Sequence, residues 1–119
     1  MKLREKVGLA VSKETELAWC AGFFDGEGTT CLLKTKRDKN IYLRMSIAQK
    51  DEETLLRFQQ NIGGAIYKSK TRDIFSLNIY SNENVVQALT LLWPYLGSCK
   101  KAQANKSIEQ VLGIERTLT

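Results

Sequence analysis

The apolar and polar positions of this chain fall into two alternating kinds of run. The first, "KETELAWCAGFF" from Lys13 to Phe24, reads as a helix: Ser12 suits the N-cap, Glu14 and Glu16 occupy the first turn, where acids complement the helix dipole, and Gly26 and Gly28 follow its end. Next comes "TTCLLKTK", separated by the turn-like "RDKN" from "IYLRMSIAQK". In the latter, Ile41, Leu43, Met45 and Ile47 alternate with Tyr42, Arg44, Ser46 and Ala48, a period of two that predicts a half-buried hairpin strand. Asp51 then caps a helix over Glu52 to Asn61, with Leu55, Leu56, Phe58 and Ile62 apolar and Gly63 and Gly64 as the stop. A second hairpin follows as "AIYKS", the turn "KTRD" and "IFSLNIYS", where Phe75, Leu77 and Ile79 alternate with Ile74, Ser76, Asn78 and Tyr80. Asn82 caps a helix from Glu83 to Trp93, broken near Pro94, and a last helix runs from Lys100 to Leu112.

The order αββαββαα predicts one α+β domain over 1–119, with 1–12 as an N-terminal extension and 13–114 as the core. The two hairpins are expected to pair into a four-stranded antiparallel sheet, with helices on one face and the other face polar. A strand of about nine residues spans roughly 30 Å, close to one turn of B-DNA, so such a ribbon can lie along a major groove. The first strand fits this scheme poorly. Alternation puts Cys31, Leu33 and Thr35 on the polar face and Lys34 and Lys36 on the core face, and a bulge is one way to change the phase.

Charge and composition narrow the partners. Eighteen Lys and Arg against thirteen Asp and Glu give a net charge of +5, which favours a polyanion. Three cysteines without a CxxC pair, and no histidine, argue against structural zinc, a disulfide framework, a Ser-His-Asp or Cys-His nucleophile and the usual imidazole base. Chemistry must then use carboxylates, lysines or a metal. The apolar run Val7 to Val11 is too short and interrupted for a signal peptide, and no run reaches transmembrane length. The expected location is intracellular, in a bacterial or phage-host cytoplasm or an organelle. On the first helix Ala18, Ala21, Gly22 and Asp25 recur at spacings of three and four, leaving one small face that either packs on the chain's own sheet or lets a second helix approach.

The string "CAGFFDGEG", Cys20 to Gly28, resembles the LAGLIDADG motif of homing endonucleases, with Cys20 for the leading leucine and Glu27 for the second aspartate. "IAQK" at 47–50 and "CKKAQAN" at 99–105 look like family segments near the active site, and the resemblance covers 13 to about 114. It implies the LAGLIDADG homing endonuclease fold, with the sheet forming a DNA-binding saddle. By the same resemblance Glu27 matches the metal-binding acid, assisted by the backbone carbonyl of Gly26. Gln49 matches a polar residue that orients water, and Lys100 matches a basic residue that stabilises phosphate or lowers the pKa of the water. Gln103 and Asn105 fall in the same neighbourhood without an assigned role. The implied cofactor is Mg²⁺, with Mn²⁺ or Ca²⁺ able to substitute for binding; magnesium takes oxygen ligands and keeps several waters. No small-molecule cofactor and no membrane partner is expected.

A single motif implies a homodimer in which two motif helices cross through Ala18, Ala21 and Gly22, while Asp25 caps the partner motif helix. Two copies related by symmetry imply a near-palindromic double-stranded DNA site. The expected DNA contacts are Tyr42, Arg44, Ser46, Tyr67, Ser69, Ser76 and Asn78 on the sheet, Arg37, Lys39 and Asn40 in the first turn, and Lys68, Lys70 and Arg72 in the second. Arg reads guanine and Asn adenine, whereas turn lysines meet phosphate and confer salt dependence. The expected activity is site-specific hydrolysis leaving short 3′ overhangs, from an intron-encoded or free-standing gene. The alternatives are a non-catalytic binder on this fold, such as an intron maturase or DNA-binding regulator, and, more distantly, an unrelated basic α+β interaction domain.

Overall fold

Two antiparallel hairpins and the helices between them build one four-stranded sheet. The computed structural model describes residues 12–34, 36 and 40–118. Helix α1 (Lys13–Glu27) leads into β1 (Gly28–Lys34), which pairs with β2 (Ile41–Gln49); α2 (Glu52–Ile62) connects to β3 (Ala65–Lys68) and β4 (Phe75–Tyr80); α3 (Asn82–Leu92), a 3₁₀ turn (Trp93–Tyr95) and α4 (Ser98–Leu118) complete the chain. The strand order is β1-β2-β4-β3, so the second strands of the two hairpins meet at the centre of the sheet.

Period-two patterning explains the layering. Leu43, Met45, Ile47, Leu77 and Ile79 point to one face and are buried with Phe24 of α1, Leu55 and Phe58 of α2, and Val85, Leu89 and Leu92 of α3. Each large apolar side chain removed from water contributes roughly 1.5–3 kcal/mol, which fixes the register against a one-residue slip. Phe23 and Phe24 both lie within stacking range of Phe58, at centroid distances of 6.2 and 6.4 Å, so α1 and α2 pack through aromatic rings. Ala104 and Val111 bring α4 into the same core.

The helix starts follow capping chemistry, with one shift. Ser12 accepts from the Thr15 N–H, and Asp51 accepts from the Glu53 N–H, as expected. The third helix is capped by Ser81 rather than Asn82: Ser81 adopts φ +79° and accepts from the Asn84 N–H. Asn82 is freed by that one-residue shift, and its Oδ1 accepts the backbone N–H of Leu43 at 2.8 Å, tying α3 to β2. The last helix begins at Ser98, before the expected Lys100, and extends past Leu112 to Leu118.

Helix α1 runs through Glu27 instead of ending at Phe24, so Asp25, Gly26 and Glu27 form its last turn. Neither Gly26 nor Gly28 has positive φ; among the described residues only Ser81, Gly63 and Gly64 do. Gly28 is glycine for space, because a Cβ there would overlap the Phe24 ring. Its N–H caps the helix by donating to the Phe24 carbonyl. The first strand needs no bulge: Gly28 to Lys34 pair one-to-one with Ile47 to Ile41. Its phase is therefore the poor one read from the sequence, with Cys31 opposite Arg44 and Leu33 opposite Tyr42.

Candidate functional site

The open sheet face is the first part of the site. In register, Thr29 faces Ser46, which faces Asn78 and then Ala65, while Ala48 faces Ser76 and then Tyr67. Tyr42, Arg44, Ser46, Ser76 and Asn78 are half-buried on that face, and Tyr67 is 52% exposed. Arg44 sits between Cys31 on β1 and Tyr80 on β4. Its Nη2 donates to the Cys31 sulfur at 3.5 Å, and its Nε is buried without a partner. Among the described residues the one ion pair joins Arg57 to Glu16, so no acid neutralises Arg44. An uncompensated guanidinium in the middle of a polar face is suited to a polyanion or to the O6 and N7 of guanine.

The turn residues divide. Arg37 and Lys39 lie outside the described residues, and Asn40 is exposed with its amide donating to the Tyr42 hydroxyl at 3.3 Å. Lys70 and Arg72 are exposed in the second turn. Ser69 organises that turn instead of presenting a free hydroxyl, since its Oγ accepts from the N–H groups of Thr71 and Arg72. Lys68 falls on the parity of Leu77 and Ile66, and its ammonium lies 5.8 Å from the Phe75 ring centroid. Thr29 and Tyr80 belong to the open face and were not among the expected contacts. Period-two parity from Ser46 and Arg44 was the signal that could have found them.

The second part is a corner where α1, β1, β2 and α4 meet. Glu27 ends α1 and is exposed, and Gly26, one residue earlier, is also exposed. The Gly26 carbonyl belongs to the last four of the helix, which have no intrahelical partner. Because Gly28 pairs with Ile47, the end of β2 carrying half-buried Gln49 runs past the same corner. Two hydrogen bonds bring α4 there. Asp25 accepts the Gly97 N–H at 3.0 Å through both carboxylate oxygens, and Gln103 Oε1 accepts the Thr30 N–H at 3.0 Å. Lys100 lies midway between Gly97 and Gln103 on the helix face that also carries buried Ala104 and Ser107. Register and these two bonds thus bring the segments that carry Glu27, Gln49 and Lys100 toward one corner.

The expected dimer residues separate in the same way. Ala21 is fully buried in the chain's own core, and Asp25 is engaged by Gly97 of the same chain, which removes both from an open surface and replaces the cross-dimer cap with an internal one. Ala18, Gly22 and Gly26, spaced by four, are exposed, and a Cβ at Gly22 or Gly26 would meet nothing within 4 Å. Cys20, at the head of the motif, is buried, and burial pushes its thiol up to about 11. It packs as a small hydrophobe.

No group of three or more His, Cys, Asp and Glu among the described residues could hold a metal. One chain offers a single exposed carboxylate at the corner, and Asp25 is already committed. That donor set fits a hard divalent cation that takes oxygen ligands, keeps several waters and has few protein ligands.

An α+β protein with an open polar sheet and one uncommitted acid at the helix-to-strand corner is the class that fold and site define. The LAGLIDADG endonuclease family model matches residues 20–114, and the chain belongs to that family. An intron-encoded DNA endonuclease, ai2b, of Dictyostelium discoideum is 24% identical over 108 residues, covering 87% of this chain and 41% of that protein. The chain therefore spans about two fifths of the curated relative it matches. The fold is similar to the homing endonuclease I-CvuI in complex with its target in the presence of Ca, with TM-score 0.72 and 21% identity over 88% of this chain and 71% of that one. It is also similar to the LAGLIDADG homing endonuclease I-LtrWI bound to target DNA, with TM-score 0.70 and 20% identity over 87% of this chain and 39% of that one. No helix among the described residues is long and apolar enough to cross a membrane.

Proposed function

We propose that the chain is a homodimeric, divalent-metal-dependent, site-specific DNA endonuclease that leaves short 3′ overhangs. The observation that carries this reading is Glu27: an exposed carboxylate, paired with no cation among the described residues, at the corner shared with Gln49 and Lys100 and bordering the open sheet face. Family membership and the DNA-bound structures of similar fold support it.

The sheet holds the duplex, with Arg44 and Asn78 reading base edges and Lys70 and Arg72 on phosphate. Glu27 and the Gly26 carbonyl would hold the cation, which when bound would supply Lewis acidity and a water of lowered pKa. Gln49 orients the attacking water through its side-chain amide. Lys100 neutralises charge that develops on the scissile phosphate. Two copies meet through the Ala18, Gly22 and Gly26 face of α1, placing one Glu27 for each strand to be cut.

The test is incubation with Mg²⁺ and a plasmid library that includes DNA flanking the chain's own gene. A specific linear product with short 3′ overhangs is expected, lost by a factor on the order of 10³ in Glu27→Gln while DNA binding in Ca²⁺ persists. Tight binding without cutting under any divalent metal would reassign the chain to the non-catalytic binders of this fold.

A further inference from the structure

We propose that Asp25 and Gln103 are positioning residues that hold Lys100 beside Glu27, so that the sixth residue of the motif acts on the active site through α4 of its own chain. The proposal rests on the reading of Lys100 as an active-site cation.

The start of α4 lacks a cap of its own. Gly97 stands in the N-cap position, since its carbonyl accepts the first helical bond, from the Lys101 N–H at 3.1 Å, yet it has no side chain to satisfy the exposed amides. Asp25 satisfies one of the free amides at this helix start from another element, accepting the Gly97 N–H through both oxygens. A carboxylate there also meets the positive end of the helix dipole. The fit leaves no spare room: a Cβ at Gly97 would sit 3.2 Å from each Asp25 oxygen. Two turns along, Gln103 makes the second attachment, to the Thr30 N–H on the unpaired edge of β1.

Asp25 and Thr30 flank Glu27 in sequence, and Gly97 and Gln103 flank Lys100. The two bonds therefore join the acid-bearing and lysine-bearing segments on both sides of the pair. A rigid bracket of this kind matters for catalysis because a displacement of about 1 Å in a charged group can cost on the order of 100-fold in rate. Binding of DNA by the sheet face does not pass through it.

The double-mutant cycle of Asp25→Ala with Lys100→Ala tests the bracket. If Asp25 acts through Lys100, Asp25→Ala alone should slow cleavage about 10- to 100-fold with unchanged DNA affinity in Ca²⁺, and the double variant should be no slower than Lys100→Ala. Asp25→Asn, which keeps an acceptor oxygen, should recover the rate to within about threefold of wild type. Multiplicative losses in the double variant, or a wild-type rate in folded Asp25→Ala, would overturn the proposal. Amide hydrogen exchange across Lys100 to Gln103 gives a readout independent of cleavage: faster exchange in Asp25→Ala supports the anchor, and unchanged exchange refutes it. A wild-type protein that cuts nothing, or a Lys100→Ala variant that cuts normally, instead overturns the reading of the site, leaving the exchange result to judge the anchor alone.

Discussion

The two halves of α1 contrast in how they use their polar groups. In the first half, Glu16 is fastened to α2: Arg57 donates to both its oxygens at 2.8 and 2.9 Å, Asn61 donates at 3.2 Å, and the Arg57 guanidinium lies 3.9 Å over the Trp19 ring, which stacks on Phe23. In the last turn, Glu27 is left exposed and Gly22 and Gly26 are bare. One helix thus closes its own electrostatic accounts at one end and leaves them open at the other. Under the proposed function, the groups left open at that end are those that a metal, a phosphate or a second helix would meet.

The largest effect expected on this contrast is the loss of cleavage in Glu27→Gln, with the fold unchanged because the carboxylate has no partner among the described residues to lose. Gly22→Leu should come next. A helical glycine replaced by leucine gains roughly 0.5–1 kcal/mol of helix stability, and nothing lies within 4 Å to obstruct the side chain, so the isolated chain should melt higher. The proposed dimer should weaken by about 1–3 kcal/mol from the blocked helix approach, seen by sedimentation-velocity or gel-filtration dilution series. A dimer that survives unchanged would place the interface elsewhere.

Gly28→Ala attacks the junction from the packing side. The added methyl meets the Phe24 ring in a filled core, and a loss of about 1–3 kcal/mol in urea unfolding is expected. The smallest effect belongs to the fastened half. Arg57→Ala removes a partly exposed ion pair and a cation–π contact and should cost about 1 kcal/mol. Its pH dependence has a definite sign. The hydrogen bonds from Arg57 hold the Glu16 carboxyl below the usual carboxylate range, so the stabilisation is present above the ordinary glutamate pKa and is lost as pH falls through the lowered value in the folded state. Wild type and Arg57→Ala should therefore converge in stability in acid and separate toward neutrality, which thermal melts across that range will measure.

Local chemistry made much of this legible. The alternation from Ile41 to Ile47 and from Phe75 to Ile79 specified the two central strands and their buried face, and Ser12 and Asp51 capped the helices they precede. The motif pointed to the corner where α1, β1, β2 and α4 meet, and Glu27 is exposed there. The end of α1 was harder to read, because Gly26 and Gly28 serve as breakers in many sequences, whereas here Gly26 stays helical and Gly28 makes room for Phe24. Asn82 and Ser81 are both good caps, and only the bond from Leu43 decides which one begins the helix.

By itself, then, the sequence determined the order of elements, the two faces of the sheet and the identity of the motif, because periodicity, capping and turn residues act over a few neighbouring positions. Tertiary structure decided the division of labour among the small and acidic residues of α1. Ala21 and Gly22 are adjacent and similar in size, yet a rotation of about 100° per residue sends one to the core and leaves the other bare. Asp25 and Glu27 are both acids of one helical turn, yet Asp25 meets Gly97, a residue 72 positions away, and Glu27 meets open solvent. Contacts at that separation depend on where α4 packs, and no local pattern encodes them.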